Sequence, residues 1–234
     1  MIKQELIKRS PLRILERSIH GSLAAGSVGL IAARKGTGKT ACLVHIATDQ
    51  LFQGKHVIHI SFASRTDHIV SWYEDIFNEL ARALSLENAM EIHDELITRR
   101  VVMNFNQKGV GPEQLLRSVR ALIEDGQFAA NVLIVDGYSF ETGDPALVAA
   151  IKAFAAESGL AVWFSASIHR DDPRVDEHGI PAILSPYLES VDVLITLQPT
   201  EDHIRLDLRK DFANYTREDL HLKLDPKSLL IAGE

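Results

Sequence analysis

Cysteine is nearly absent: Cys42 is the only one in 234 residues. An intramolecular disulfide is impossible, and nothing points to an oxidising compartment. Long apolar runs are missing too. No stretch reaches the length of a membrane span, and the start MIKQELIKRS lacks the apolar centre of a signal peptide. The expectation is a cytoplasmic protein with no membrane partner. Basic excess is also lacking, since 25 Lys and Arg face 32 Asp and Glu for a net charge of −7. That balance excludes whole-surface attraction to nucleic acid or anionic lipid, and leaves open only a local basic groove. Short pairs at Arg34-Lys35, Arg99-Arg100 and Arg209-Lys210 do not make a polybasic arm. There is no internal repeat, low-complexity tract or linker.

What is present is ordinary globular material, 46% hydrophobic and 24% charged. It is enough for one domain over 1–234, with an edge segment 1–25, a core 26–212 and C-terminal strands 213–234. Hydrophobic periodicity alternates between strand and helix. Strands are expected at Val28–Ala32, His56–Phe62, Val101–Phe105, Val132–Val135 and Leu160–Ser165, with helices at Thr40–Phe52, Thr66–Leu84, Met90–Arg99, Pro112–Asp125 and Pro145–Ser158. Residues 168–188 read as a long loop, and four short strands follow at Val191–Leu197, Ile204–Leu208, Leu220–Leu224 and Leu229–Ala232. Fully apolar strands between helices imply an α/β fold, a mostly parallel central sheet covered on both faces. The last strands, joined by short polar turns, form an antiparallel extension.

The strongest chemical signal is Ala33-Arg34-Lys35-Gly36-Thr37-Gly38-Lys39-Thr40. It fits the phosphate-loop (Walker A) pattern G-x-x-x-x-G-K-[ST] except that Ala33 replaces the first glycine. An apolar strand precedes it and a helix follows. Gly36 and Gly38 let successive backbone N–H groups converge on one oxyanion, and the helix N-terminus adds partial positive charge. The expected nucleotide contacts are Arg34, Lys35, Gly36, Thr37, Gly38, Lys39, Thr40 and Ala41. Lys39 reaches the β/γ-phosphates with no packing role, and the Thr40 hydroxyl ligates Mg²⁺. Asp136, closing the buried strand Val132–Val135, has the place of a Walker B carboxylate that holds the same ion.

Ile31-Ala32-Ala33-Arg34-Lys35-Gly36-Thr37-Gly38-Lys39-Thr40-Ala41 resembles the phosphate loop of RecA-superfamily ATPases, closest to DnaB-type replicative helicases and KaiC-like ATPases. The resemblance implies a RecA-like fold with ATP and Mg²⁺ as cofactors. In that family the strand after the phosphate-loop helix ends in a glutamate that activates water. Here the position falls on Ala63 or Ser64, neither of which is a carboxylate base at neutral pH. Glu74, Glu141 and Asp67 are the substitutes to consider. Ser167 sits where the family senses the γ-phosphate, usually with glutamine. Arg209 and Lys210 lie in the segment that supplies cations to a neighbour's nucleotide, without the family's lysine-x-arginine spacing.

Two readings follow. One is a Mg-dependent ATP-binding protein with slow turnover, aided by assembly with copies of itself or with a protein partner. The other is a non-hydrolysing nucleotide-sensing module. DNA handling of the recombinase or helicase type ranks lower, because only the segment 1–25 precedes the core. A small-molecule kinase lacks its arginine-rich lid. Of the ten histidines, His56 and His59 fall on opposite faces of one strand, and the others lack ligand spacing. The polar loop His169-Arg170-Asp171-Asp172 occupies the region where such proteins contact DNA or partners.

Overall fold

The computed structural model describes residues 7–62, 65–106, 111–168 and 174–233. Nine strands form one sheet in the order β3-β2-β4-β5-β1-β6-β7-β8-β9. The strands are β1 Val28–Arg34, β2 His56–Ser61, β3 Arg100–Asn104, β4 Ala130–Asp136, β5 Ala161–Ile168, β6 Val193–Pro199, β7 Ile204–Asp211, β8 Asn214–Leu224 and β9 Ile231–Gly233. Neighbours from β3 to β6 pair in parallel, while β7, β8 and β9 pair antiparallel. The α/β class and the antiparallel extension stand as expected.

Six helices flank the sheet: α1 Leu12–Ser18, α2 Lys39–Phe52, α3 Thr66–Ala83, α4 Ala89–Thr98, α5 Pro112–Glu124 and α6 Pro145–Ser158. Helices α1 to α4 pack on one face, against Ile31, Ile134, Trp163 and Ile195. Helices α5 and α6 cover the other, against Leu30, Leu133, Phe164 and Leu194. Alternate residues of each strand thus enter opposite cores, which is why these strands read as unbroken apolar runs. Local signals place the helix ends. Pro112 and Pro145 open α5 and α6, the Asp144 carboxylate accepts from the Ala146 N–H at 2.9 Å, and Gly159 ends α6 with φ of 70°.

Two expectations on extent are corrected. Segment 168–188, expected as loop, carries a 3₁₀ turn at Ala182–Tyr187 and a bridge between Val175 and Pro181. Apolar Leu184 and Tyr187 enter the core there, and the Tyr187 hydroxyl donates to the carbonyls of Phe140 and Gly143, both at 3.0 Å. Strand β8 starts at Asn214 instead of Leu220, because its polar half pairs with β7 and shows no apolar alternation. Among the described residues no helix is long and apolar enough to cross a membrane.

Candidate functional site

Parallel strands bring their C-terminal ends to one edge of the sheet, and β1, flanked by β5 and β6, lies at its middle. The chain leaves β1 at Arg34, turns through the glycine loop and enters α2 at Lys39. Gly36 and Gly38 hold φ of 82° and 93°, backbone that side chains resist, so both glycines are required by conformation. Gly38 is required sterically as well: a Cβ there would stand 2.3 Å from Leu224 Cδ2.

Lys39 is buried, and its Nζ donates to the carbonyls of Ala33 at 3.0 Å and Arg34 at 2.8 Å. The expectation of no packing role is therefore corrected, since the ammonium closes the loop on itself. Burial pulls its pKa down to about 8, opposed by the Asp136 carboxylate.

Asp136 ends β4, 4% exposed. The Thr40 hydroxyl donates to its Oδ2 at 2.9 Å, and the Ser165 hydroxyl donates to its Oδ1 at 2.5 Å. Ser165 also accepts the Gly137 N–H at 2.9 Å. The two residues expected to share a metal are thus in direct contact, and both offer hard oxygen donors of the kind that suit Mg²⁺. Both of these hydroxyl partners are neutral, and the charge of Asp136 reaches Lys39 only through space.

Sequence reasoning misses Ser165. The available signal is one hydroxyl midway along an otherwise apolar strand, at a separation of two from Trp163 and so on the same face. It also misses His59. That residue is wholly buried on β2 and shares a 3.0 Å hydrogen bond between Nδ1 and the Tyr73 hydroxyl, while burial lowers its pKa to about 4.

The remaining expected residues divide. Ser167 is exposed and in register with Ala33, beside the start of the loop. Glu141 is exposed in the turn after β4. Glu74 is not brought to the site. It pairs with His93, and with Arg100 at 3.6 Å. Arg100 is in register with Val57, four residues before Ser61, which pairs with Asp136. That offset is about 13 Å along the strand. Asp67 is exposed on the first turn of α3, 3.2 Å from Arg65. Ala63, Ser64 and the loop 169–172 lie outside the described residues.

Arg209 and Lys210 do not project as free cations. Arg209 pairs with Asp207 at 2.7 Å and donates from Nε to Thr196 Oγ1 at 2.9 Å. Lys210 is buried and donates to the carbonyls of Leu188, at 2.7 Å, and Val191. The physical reason is that β7 lies inside the sheet, between β6 and β8, so both residues find partners within the chain.

The sequence matches no protein-family model and no curated protein. Among solved structures 504 chains match. One is the ATPase domain of a DnaB-type helicase, with a TM-score of 0.66 at 13% identity, over 90% of this chain and 86% of that one. The likeness is one of fold, and it identifies the core as RecA-like.

Proposed function

We propose that this chain binds ATP with Mg²⁺ through the loop Arg34 to Ala41, and that its hydrolysis of ATP is slow. The single observation that carries the reading is the contact between Thr40 and Asp136 at 2.9 Å, directly beyond a glycine loop that opens a helix. Backbone N–H groups of the loop and the α2 N-terminus receive the phosphates. Lys39 exchanges the carbonyls of Ala33 and Arg34 for phosphate oxygens, a local change within the loop. Thr40 and Asp136 would hold the metal, which supplies compensation for the phosphate charge. Ser165 keeps one carboxylate oxygen of Asp136 occupied, so that the other faces Thr40.

Slow turnover follows from the carboxylates. Ala63 and Ser64 carry none, and Glu74 already answers His93 and Arg100. The same observation favours a second reading, a nucleotide-sensing module that does not hydrolyse. Titration with a fluorescent ATP analogue, with and without Mg²⁺, tests the site. Asp136→Asn is expected to weaken binding only when Mg²⁺ is present, and an equal defect in its absence would remove the metal role. Phosphate release at saturating Mg-ATP separates slow turnover from none.

A further inference from the structure

Helix α2 also borders a cavity of about 340 Å³, away from its first turn, between the end of α3, the residues ahead of α1 and the C-terminal segment. The walls are apolar, formed by Phe52, Leu80, Leu84 and Leu230. Two polar side chains one helical turn apart on α2 interrupt them, His45 and Asp49, only 2% and 3% exposed.

Both have one polar atom engaged and one unused. The Ile231 N–H donates to His45 Nδ1 at 2.9 Å. That bond places the ring proton on Nε2, and burial, which lowers the pKa to about 4, keeps the ring neutral. Among the described residues Nε2–H has no acceptor. Arg13 and Gln53 both donate to Asp49 Oδ2, the latter at 2.7 Å, and no described residue donates to Oδ1. Arg13 also matches the carboxylate's charge. Arg9 stands at the lining as well. An anion would meet Asp49, a cation would meet Arg13 and Arg9, and a hydrocarbon would leave the buried Nε2–H and Oδ1 unpaired.

We propose that this cavity binds a neutral, largely apolar small molecule with an acceptor beside a donor, as in a secondary amide. The acceptor takes His45 Nε2–H and the donor gives to Asp49 Oδ1. The volume lies at the lower end for pockets that enclose such ligands. The assignment does not depend on the nucleotide reading.

The test uses the full chain and acetanilide, with ethylbenzene as the apolar control, followed by NMR at the His45 ring and at amides of α2. Acetanilide is expected to bind saturably at millimolar concentration or below, at least tenfold more tightly than ethylbenzene. Leu80→Trp, which fills the cavity, is expected to weaken it at least tenfold. Where that variant does not fold, Ala83→Phe blocks the same space from the end of α3. Absence of saturation, equal binding of ethylbenzene, or full binding by a folded, filled variant would overturn the proposal.

Discussion

Lys39 and Lys210 make the same local arrangement in two parts of the molecule. Each is a buried lysine whose Nζ donates to two backbone carbonyls, and in each case burial lowers the pKa. Their partners differ in origin. Lys39 bonds carbonyls five and six residues back, within its own glycine loop. Lys210 reaches 19 and 22 residues back, and ties the chain after the 3₁₀ turn to β7. A lysine that closes its own loop can release it without separating other elements, whereas one that joins distant segments cannot. Bonding pattern alone therefore does not mark a ligand-binding lysine. Where the bonds lead does.

Substitution of the two lysines tests this distinction most strongly. Lys39→Ala is expected to weaken Mg-ATP binding by roughly 10- to 100-fold, the value of one charge-assisted contact, with little change in melting temperature. Lys210→Ala is expected to do the reverse. It strands the carbonyls of Leu188 and Val191, costs about 1–3 kcal/mol in chemical denaturation, and leaves nucleotide affinity unchanged. A Lys210 variant of normal stability that loses binding would break the comparison.

Ser165→Ala sharpens it, because Ser165 stabilises by placing a charge instead of supplying one. Its loss is expected to weaken binding about fivefold with Mg²⁺ present, about 1 kcal/mol, and hardly at all without. Titration at several Mg²⁺ concentrations reads this directly.

The smallest effect concerns acid. His45 and His59 are held at about 4 by burial, against 6.5 for a free imidazole. As pH falls from 6.5 towards 4, the unfolded chain takes protons that the folded chain refuses, so stability falls in that window. Each group contributes about 0.8 kcal/mol of loss at pH 6. His45→Gln, which keeps an acceptor for Ile231 N–H, is expected to flatten the pH dependence of urea unfolding between 6.5 and 5. Neither lysine titrates there, so an unchanged slope would show that His45 is protonated in the fold.

The sheet and its helices are legible because unbroken apolar strands and proline or glycine ends leave direct traces in sequence. So are the loop, Thr40 and Asp136, whose chemistry demands particular residues at particular spacing. The 3₁₀ turn is hidden because Leu184 and Tyr187 have no regular period. Ser165 is hidden because its importance lies in a contact with a residue 29 positions earlier. Glu74, Arg209 and Lys210 carry suitable charge, but only three-dimensional pairing reveals that His93, Asp207 and the Leu188 carbonyl already engage them.

The close approach of Gly38 to Leu224 bears on how the molecule is made. The loop is specified within the first forty residues, yet its neighbour is near the other terminus, and the Ile231 N–H that holds His45 comes later still. A chain emerging from the ribosome N-terminus first can form β1 and α2 early, but their C-terminal cover arrives last. Contacts so distant in sequence form slowly. The site that looks most local on paper is thus expected to mature only when synthesis is almost complete, and a chain cut short before β8 would display a phosphate loop without the wall that fits it.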